Sequence, residues 1–479
     1  MVAAFLRLYR LRFGYAHSVA DYDGGVYLGS SLELVDGRVP YRDFVLVHPP
    51  VITLLFTPLA LAAKAIGAAQ AMGLAKILTA LAGAASVPLV GRLVRERGPV
   101  VVGLACAVTA LQGDAVASAY SPLLEPWLVL FCLVGAVLAF DGGRVRAGRP
   151  LLWAGMFFGL AAATKIWALA PILAFVLVCG PRRRTYLGGM AAGFLVPVLP
   201  FLLAAPRAFV HEVLTVQLLR TTDGPRTPEA LRLLHMFGSP APTGADPSVG
   251  RAALLAGVAM IVVGLALAWL RTWRRATPLD RFALVGAVLV VVSMLVPDVF
   301  YWHYAAFSTP FLVLAAVAPA AHLQRPGRRA WSAVLALAVL GLAVAMTHRD
   351  LRSYRMLNDH AAVDAVVPPG ACLVSSEASA AIAQDRYGST DPGCPVLVDP
   401  FGTVLALTGG RTPSAAALRD PRVRGFWLAL YRRADYLYLT RPRSPVVPSD
   451  AVLRAYLSTH FRIVPIRSGG TLYERVDGR

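Results

Sequence analysis

Two aspartates near the start of the chain, Asp21 and Asp23, have the residue type and the surroundings of catalytic carboxylates. They stand in VADYDGGVYLGSSLELVDGRVPYRDFVLVHPP, residues 19–50, a segment rich in acidic residues, tyrosine and glycine that precedes a long apolar stretch. A carboxylate in a partly dry site can take the proton of a hydroxyl group as a general base. Asp23 is the first candidate and Asp21 its rival, although Asp23 could instead be a solvated residue or the N-cap of a helix.

The same aspartates form a D-x-D pair, a pattern that some sugar-transferring enzymes use to hold a divalent cation. Structural and catalytic metal sites need several ligands at suitable spacing. No group of His and Cys residues in the sequence has such spacing. We therefore expect no cofactor and no metal site, with a divalent cation at Asp21 and Asp23 as the alternative.

The other candidate site residues are polar groups in the same segment or beside apolar stretches: Tyr27, Arg42, Asp43, His48, Glu125, Lys165, Arg220, Tyr301 and His303. Ionisable groups within or beside membrane segments are costly to bury and are often functional. Lys165 lies between two apolar stretches, so it must find an anion or extend to the interface. Glu125 stands at the mouth of an apolar stretch and could alternatively cap a helix.

Three of these candidates also have simpler interpretations. Asp43 could only cap a turn or pair with Arg42. His48 could be a hydrogen-bonding group at the membrane interface rather than a base. Tyr301 and its aromatic neighbours could belong to the interfacial aromatic belt instead of stacking on a sugar. The residues alone leave these alternatives open.

The composition predicts that membrane helices position these groups. Of the 479 residues, 57% are hydrophobic and 15% are charged, an apolar share above and a charged share below those of soluble proteins. Apolar runs recur from residue 47 to residue 347, which predicts a polytopic α-helical membrane protein with about ten spans. The net charge of +19 comes almost wholly from arginine. Much of it lies in short loops, where it sets topology, so we expect no nucleic acid partner.

The arginine-rich connectors predict the orientation, because short basic loops stay in the cytoplasm. Five such connectors occur, at 91–98, 142–149, 181–184, 271–275 and 324–329. We expect spans at 71–92, 100–118, 123–140, 151–180 (two short spans hinged near Lys165), 186–205, 251–270, 281–297, 304–321 and 331–347. This alternation predicts a multi-pass plasma-membrane protein whose acidic loop and C-terminal residues lie outside the cell.

The acidic loop can lie outside only if the apolar run that follows it does not cross the membrane. That run has about 16 residues, which is short for a span, and it begins after two prolines that suit a helix start. We interpret 50–66 as a helix in the outer interface. Arginines interrupt residues 1–18, which form no convincing span. An interfacial N-terminus and a further helix upstream both stay open.

The order of the motifs resembles the first outer loop and the following helices of GT-C glycosyltransferases. The matching pieces are Asp23 with Tyr27, the G-x-x-P-Y-x-D-F stretch at 37–44, the prolines at 49–50, Glu125 at the start of a span, and the stretches 154–165 and 300–314. More narrowly, they are similar to family 39 enzymes, which include protein mannosyltransferases and lipid A aminoarabinose transferases. The resemblance covers most of residues 20–347.

This resemblance implies an enzyme that moves a sugar from a polyprenyl-phosphate donor to a hydroxyl group at the outer face of the membrane. The acceptor would be an envelope glycan, lipid or protein, and Asp23 would act on it as the general base. The departing phosphate needs cations or hydrogen-bond donors, and the outer-side candidates are Arg42, Lys165, Arg220 and His303. Many relatives have Glu directly after the aspartate, where this chain has Gly24, and this departure keeps Asp21 as a rival base.

A multi-span transporter or flippase for a lipid-linked or envelope substrate is the alternative function. Transporters commonly show repeated halves around a site at the middle of the membrane. No internal repeat is evident in this sequence, and its informative acids lie in one loop. The sequence therefore favours the glycosyltransferase.

The C-terminal residues have a different pattern, which divides the chain into a membrane domain at 1–348 and an extracytoplasmic α/β domain at 349–479. The membrane domain includes the outer catalytic loop, 17–50, and the interfacial helix. In the second domain we expect strands at 371–376, 395–399, 436–440, 461–466 and 471–476, and helices at 379–386, 414–434 and 449–461. The alternation favours a mostly parallel sheet. No phosphate-binding loop appears there, so we expect an accessory or acceptor-facing role.

The cysteines separate by location. Cys106, Cys132 and Cys179 lie in predicted spans, where they fill apolar space. Cys372 and Cys394 are the only cysteines outside the predicted spans, and both fall on the side where disulfides are permitted. Each is close to a predicted strand, and neighbouring parallel strands could bring them within bonding range. We therefore predict a Cys372–Cys394 disulfide.

Overall fold

The computed structural model describes the chain except for residues 10, 12–15, 17, 20, 222–225, 239–246, 324–340, 342–360, 441–445, 449, 467–469 and 478–479. Most of the described residues are helical. The connector at 324–329 and, apart from Gly341, the span predicted at 331–347 lie outside the described residues.

The chain divides into two compact units. The helical unit comprises Met1–Arg10, Thr79–Pro197 and Arg226–Tyr354. The loop-and-sheet unit comprises Leu11–Leu78, Val198–Pro225 and Arg355–Arg479. The acidic loop is therefore grouped with the C-terminal residues, and a domain boundary between residues 348 and 349 stays a prediction.

The α-helices up to residue 323 are, in chain order, α1 (Val2–Leu8), α2 (Tyr22–Val35), α3 (Val51–Ile66), α4 (Ala68–Leu93), α5 (Pro99–Leu111), α6 (Gly113–Ala117), α7 (Leu124–Ala139), α8 (Arg149–Ala162), α9 (Leu169–Val178), α10 (Arg183–Ala204), α11 (Pro206–Val210), α12 (Val216–Leu218), α13 (Glu229–Met236), α14 (Pro247–Thr272), α15 (Pro278–Leu295) and α16 (Ala305–Leu323). A π-helical turn, His211–Thr215, joins α11 to α12. Two short strands, β1 (Phe140–Asp141) and β2 (Arg144–Val145), form a hairpin between α7 and α8.

Within the described part of the chain, four helical segments are long and apolar enough to cross a membrane: Ala68–Leu93, Gly180–Ala204, Gly250–Arg275 and Pro278–Leu295. Helix α5 and the segment Gly113–Tyr120 would add a fifth if they form one span bent by 58°. The bend lies inside the span predicted at 100–118, at Gln112, whose side chain accepts a hydrogen bond from the Ala115 N–H and so starts a new helix. Helices α3, α7 and the segment Ile166–Val178 are apolar but shorter.

Helices α8 and α10 pack closely because each carries two glycines four residues apart. A Cβ atom on Gly155 would lie 2.1 Å from the Tyr186 carbonyl oxygen, and one on Gly159 would lie 2.2 Å from that of Met190. The glycines of α10, at positions 189 and 193, approach the α8 backbone in the same way. Small residues with this spacing let membrane helices approach closely and gain van der Waals contact. The contact accounts for the glycines of the 154–165 stretch.

An aromatic core lies beside this helix pair in the helical unit. The rings of Phe158, Phe175 and Phe282 are fully buried, with centroids about 6 Å apart. The helical structure is interrupted between α8 and α9 at Lys165, which has extended backbone angles. The hinge predicted near Lys165 is therefore confirmed as a helix break.

The C-terminal part of the loop-and-sheet unit holds a four-stranded sheet with short helices. The strands are β3 (Leu373–Ser375), β4 (Tyr436–Leu439), β5 (Phe461–Val464) and β6 (Thr471–Arg475), and the helices are α17 (Ala361–Asp364), α18 (Ala378–Ala383), α19 (Pro400–Thr408), α20 (Pro421–Arg433) and α21 (Ala451–His460). The strand order is β3-β4-β6-β5. Trp427 and Tyr431 of α20 pack on Leu437 of β4 in a small hydrophobic core.

Two predictions about this sheet are wrong. Only β3 and β4 are parallel, whereas β6 runs antiparallel to both β4 and β5, so the sheet is not mostly parallel. Residues 395–399 form no strand but lead into α19, which Asp399 caps through a hydrogen bond from the Gly402 N–H. The short apolar run there precedes an Asp-Pro pair, a helix-start signal that outweighs β-propensity.

The predicted disulfide between Cys372 and Cys394 is confirmed, with their Cα atoms 5.4 Å apart. The expected reason for their proximity is wrong. Strand β3 pairs with β4, 63 positions along the chain, rather than with a strand beside Cys394. A turn brings Cys394 back instead, because the Thr390 N–H donates to the Gly370 carbonyl oxygen at 3.0 Å.

Candidate active site

The acidic motif, residues 21–23, forms the start of helix α2. Asp21 is the N-cap, and its Oδ1 accepts a hydrogen bond of 2.7 Å from the Gly24 N–H. Asp23 is half-buried in the first helical turn, where the helix dipole favours a negative charge. The alternative in which Asp23 is the N-cap is therefore wrong, because the side chain of Asp21 fills that role. The two candidate bases thus have different environments.

Tyr22, between the two aspartates, is held by the C-terminal residues of the same unit. Its hydroxyl donates to Asp399 Oδ1 at 2.8 Å and accepts from the Phe401 N–H at 2.8 Å. Burial raises the pKa of Tyr22 well above its ordinary value, so the hydroxyl stays protonated and can donate. The start of α2 is therefore joined to the start of α19.

Asp399 is buried, and the same Oδ1 that binds Tyr22 accepts the Gly402 N–H at 2.7 Å. Burial raises the pKa of Asp399, and these hydrogen bonds and Arg220 oppose that rise. The Arg220 guanidinium lies over the Phe401 ring, 4.9 Å from its centroid. The cation predicted to meet a departing phosphate is thus placed beside the residues that hold Tyr22.

Lys76 brings a second cation to the acidic motif. Its ammonium group is buried and donates to the Ser18 carbonyl oxygen at 2.6 Å, and it interacts electrostatically with Asp21. Lys76 is not among the candidates predicted from the sequence. The signal was a lysine inside an apolar run, the same pattern that selected Lys165.

The turn of the G-x-x-P-Y-x-D-F stretch is built around Tyr41, whose φ of 67° is unusual for a residue with a side chain. The Tyr41 hydroxyl donates to the His48 carbonyl oxygen at 2.7 Å, and its ring packs on Phe209. The Asp43 carboxylate accepts the Val39 N–H at 2.7 Å and pairs with Arg42 at 2.8 Å. The structural alternative for Asp43 is therefore observed, and substrate binding by this exposed pair stays a prediction.

Tyr27 and His48 lie together, with ring centroids 5.7 Å apart in an edge-to-face arrangement. Tyr27 is buried in α2, one turn beyond Asp23. The geometry brings together two of the candidate substrate-binding residues of the acidic loop. Their role in substrate binding stays a prediction.

Glu212, in the π-helical turn, is a buried acid that sequence analysis missed. Its Oε2 accepts a hydrogen bond of 2.9 Å from the Leu46 N–H. Burial raises the pKa of Glu212 to about 8. No motif surrounds this glutamate in the sequence, so only the folded chain identifies it.

The loop-and-sheet unit also contains a cavity of about 720 Å³ beside the C-terminal end of α2. Its lining includes Glu33, Arg38, Lys64, Asp385 and Tyr387. Glu33 pairs with Arg38 at 2.7 Å. Carboxylates, cations and hydroxyl groups together make a polar wall that suits a hydroxyl-rich molecule.

In the helical unit, Glu125, Lys165 and His303 form an ionic cluster. Glu125 is fully buried, and its two oxygens contact Lys165 Nζ at 2.7 Å and His303 Nδ1 at 3.1 Å. Glu125 lies in the first turn of α7, whose N-cap residue is Leu123. Its carboxylate is thus engaged by two side chains, and the cap alternative is wrong.

Aromatic rings enclose this cluster. Lys165 Nζ lies 3.8 Å from the centroid of the Trp167 ring and 4.2 Å from that of Tyr304, within cation–π range. The Tyr301 ring stacks on His303 with centroids 5.8 Å apart. Lys165 therefore finds its anion in Glu125, and contact with a substrate phosphate stays a prediction.

The structure thus gathers the predicted residues into two groups. One holds Asp21, Asp23, Tyr27, Arg42, Asp43, His48 and Arg220, and the other holds Glu125, Lys165, Tyr301 and His303. The partners of Tyr22 are 377 and 379 positions away. The residues missed from the sequence are Tyr22, Lys76, Glu212 and Asp399. For Asp399 the available signal was the Asp-Pro start of a helix.

The metal alternative at Asp21 and Asp23 stays untested. Among the described residues, no group of three or more His, Cys, Asp or Glu side chains could hold a metal ion. One oxygen of Asp21 is used by the helix cap. A cation between the two aspartates would have to take most of its ligands from substrate or water.

Solved structures share this fold at low sequence identity. ArnT from Cupriavidus metallidurans bound to undecaprenyl phosphate is 13% identical with a TM-score of 0.57, covering 96% of this chain and 94% of its own. The Archaeoglobus fulgidus oligosaccharyltransferase, in complex with Zn and sulfate, is 11% identical with a TM-score of 0.54, covering 99% of this chain and 72% of its own. The archaeal oligosaccharyltransferase AglB from the same organism, with an inhibitory peptide and a dolichol-phosphate, is 13% identical with a TM-score of 0.51, covering 88% of this chain and 66% of its own.

Sequence comparison gives the family. No curated protein sequence matches the chain. The sequence profile of glycosyltransferase family 87 matches residues 46–297, just over half of the 479 residues. The narrower resemblance to family 39 is not confirmed, while the GT-C resemblance is. The chain belongs to glycosyltransferase family 87 and is a membrane glycosyltransferase of the GT-C superfamily.

Proposed function

We propose that this glycosyltransferase moves a sugar from a polyprenyl-phosphate donor to an acceptor hydroxyl group, with Asp23 as the general base. The observation that carries the proposal is the different placement of the two aspartates. Both are half-buried, but Asp21 is the N-cap residue, whose Oδ1 accepts the capping hydrogen bond, while Asp23 lies within the first turn of α2 and does not cap it. A base needs a carboxylate near, but not sealed from, the incoming hydroxyl group.

In this reaction the acceptor oxygen attacks the anomeric carbon of the donor while Asp23 takes its proton. The bond between that carbon and the phosphate oxygen breaks, and the polyprenyl phosphate leaves with the negative charge. Donors aimed at the departing phosphate lower the barrier. Arg220 is our candidate for that role, because it lies beside the residues that hold Tyr22 in the same unit.

The donor class is supported by the lipids in the related structures. ArnT was solved with undecaprenyl phosphate and AglB with a dolichol-phosphate, and both share this fold. The sugar, a hexose or pentose, is not specified by these similarities. The polar cavity beside α2 offers room for part of an envelope glycan, lipid or protein acceptor.

We further propose that the protein lies in the plasma membrane with about ten spans. The arginine-rich connectors would be cytoplasmic, and the acidic loop and residues 349–479 would lie outside. Labelling of single cysteines introduced at the exposed Asp36 of the acidic loop and at Ser389 in spheroplasts by a membrane-impermeant reagent checks this orientation, with permeabilised cells as the control. Protection of both positions in intact spheroplasts would overturn it.

The experiment for the reaction compares Asp23→Asn with Asp21→Asn in the purified membrane protein. Release of polyprenyl phosphate from a radiolabelled donor with acceptor extract measures transfer, and donor binding is measured separately. We expect Asp23→Asn to lose at least about 100-fold in rate while it still binds donor, and Asp21→Asn to lose less. The reverse ranking would make Asp21 the base, and full activity in both variants would exclude carboxylate catalysis at this motif.

The same assay tests the metal alternative. We expect transfer to proceed after treatment with a chelator, because proton removal by Asp23 needs no cation. Loss of activity with the chelator and recovery with a divalent cation would instead assign Asp21 and Asp23 to a metal.

A further inference from the structure

The hydroxyl group of Tyr22 lies inside the loop-and-sheet unit with both of its hydrogen-bonding roles filled. It donates to Asp399 Oδ1 and accepts from the Phe401 N–H, each at 2.8 Å. A hydroxyl with one donor and one acceptor contact has its direction fixed, unlike one that rotates between partners. Neither partner belongs to the acidic loop.

The partners of Tyr22 are themselves rigidly placed. Asp399 is buried, and its Oδ1 accepts the Gly402 N–H while its carbonyl oxygen accepts both the backbone N–H and the hydroxyl of Thr403. These bonds form the first turn of α19. The Tyr22 hydroxyl is therefore anchored to the start of a second helix and not to a single loose side chain.

Anchoring matters at this position because the first turn of a helix has the weakest internal support. The first four backbone N–H groups of a helix have no partner within it. Asp21 satisfies only one of them, that of Gly24. Tyr22 is the first residue of α2 and Asp23 the second, so a displacement of Tyr22 moves the Asp23 carboxylate with it.

We propose that Asp399, acting through Tyr22, is a positioning residue that holds Asp23 in the geometry for proton transfer. The inference rests on the proposed function and deepens it. It assigns the C-terminal region a part in the chemistry beyond an accessory role. Misplacement of a catalytic group by about 1 Å can cost on the order of 100-fold in rate. The two hydrogen bonds of Tyr22 can therefore have a large effect on the rate of transfer.

The arrangement also couples this anchor to Arg220. Its guanidinium stacks on Phe401, whose backbone N–H is the donor to Tyr22. Phe401, in the first turn of α19, thus contacts both Tyr22, which adjoins the proposed base, and Arg220, a candidate ligand of the departing phosphate. Loss of the Tyr22 hydroxyl should therefore affect the chemical step more than donor binding, which Arg220 still serves.

Tyr22→Phe is the main test, because it removes one oxygen atom and both hydrogen bonds while the ring remains. We expect kcat to fall by about 10- to 100-fold with the KM for the donor changed less than about twofold. Tyr436→Phe is the matched control, since it removes a tyrosine–carboxylate hydrogen bond to Glu474 in the same unit. We expect this control to keep its activity.

Two substitutions of Asp399 separate positioning from packing. Asp399→Asn keeps an acceptor oxygen for Tyr22 and should retain most of the activity, while Asp399→Ala should fall to the level of Tyr22→Phe. The double variant Tyr22→Phe/Asp399→Ala should then lose little more than either single variant, because both break one connection. Additive losses would contradict a shared role.

The outcomes for the two proposals are distinct. If Asp23→Asn is inactive while Tyr22→Phe and Asp399→Ala keep wild-type kcat, the positioning inference is overturned and the proposed base stands. If Asp23→Asn is fully active, the proposed base itself falls. If Asp399→Ala does not fold, Tyr22→Phe decides the inference, with its folded fraction checked by size-exclusion chromatography and thermal unfolding.

Discussion

The ionic cluster of the helical unit and the acidic motif of the loop-and-sheet unit both gather ionisable groups but hold them differently. In the ionic cluster, one fully buried carboxylate, Glu125, is met by Lys165 and His303. In the acidic motif, hydrogen bonds from a backbone N–H and a tyrosine hydroxyl hold the side chains in place. The first arrangement neutralises charge, and the second orients it.

This difference follows from the surroundings. Among apolar helices a charge without a partner is very costly, so the ionic cluster pairs its charges through side chains. At a half-buried helix start, water and the helix dipole tolerate a carboxylate, so its hydrogen bonds can serve direction instead. We therefore expect substitutions in the ionic cluster to act mainly on stability and those in the acidic motif mainly on catalysis.

The largest stability effect should come from breaking the ionic cluster. Among the described residues, Lys165→Met leaves His303 as the remaining ionic partner of the buried Glu125 carboxylate. Removal of one partner of a buried ion pair costs about 3–5 kcal/mol. The double variant Glu125→Gln/Lys165→Met should recover much of that loss, because no unpaired charge remains. Thermal unfolding in detergent measures both, and equal stability of wild type and Lys165→Met would show that the cluster does not set the stability of its unit.

The next effect tests how much the Cys372–Cys394 disulfide stabilises the loop-and-sheet unit. Cys372→Ser should destabilise this unit by about 3 kcal/mol, because the disulfide closes a loop that the unfolded chain must otherwise close at an entropic cost. Reduction of the wild type should produce the same shift. Cys132→Ser, which replaces a buried free cysteine of the helical unit, is the comparison. This variant keeps the Cys372–Cys394 disulfide, so reductant should destabilise it as it does the wild type, whereas Cys372→Ser should not respond to reductant.

Alkylation of the denatured protein before and after reduction identifies the disulfide directly. Full alkylation of Cys372 and Cys394 without reductant would contradict the bridge. In that case the loop-and-sheet unit would depend on its hydrophobic core alone.

A smaller effect should come from the close packing of α8 against α10 in the helical unit. Gly155→Ala places a methyl group 2.1 Å from the Tyr186 carbonyl oxygen, and forced overpacking costs about 1–3 kcal/mol. Gly188→Ala in the partner helix is the matched control, because nothing lies within 4 Å of its added Cβ atom. That control should be neutral or slightly stabilising. Equal effects of both substitutions would exclude the close helix contact.

The smallest effect is that of raising the pH by a single unit, through the buried Glu212. Its folded pKa of about 8 lies above its ordinary value because of burial. A raised acid pKa contributes stability that is full below the unfolded pKa and is lost as the pH rises through the folded value. Stability should therefore fall between pH 5 and pH 8 by at most about 1.4 kcal/mol per pH unit.

The control is Glu212→Gln, which keeps an acceptor for the Leu46 N–H but does not titrate. Between pH 6 and pH 7 the wild type should lose about 1 kcal/mol relative to this variant. Parallel pH profiles for the two proteins would show that Glu212 stays ionised throughout. The loop-and-sheet unit would then tolerate the buried charge of Glu212 better than the comparison with the ionic cluster suggests.

Much of the helical framework could be predicted from the sequence because its signals are local. The helix predicted at 50–66 is Val51–Ile66, and the one predicted at 123–140 is Leu124–Ala139. Apolar runs bounded by proline, glycine and basic residues define such helices within a few neighbours. The GT-C resemblance and the choice of Asp21 and Asp23 as candidate acids came from the same kind of local motif.

Only the tertiary structure decided which distant groups meet. Tyr22 and Asp399 are 377 positions apart, and His303 and Glu125 are 178 apart. The sequence selected Glu125, Lys165 and His303 one by one and did not reveal that they bind one another. The prediction of a mostly parallel C-terminal sheet was wrong for the same reason. Local propensity determines whether a segment is a helix or a strand, but the partner of a buried charge or a strand edge is chosen by packing across the whole chain.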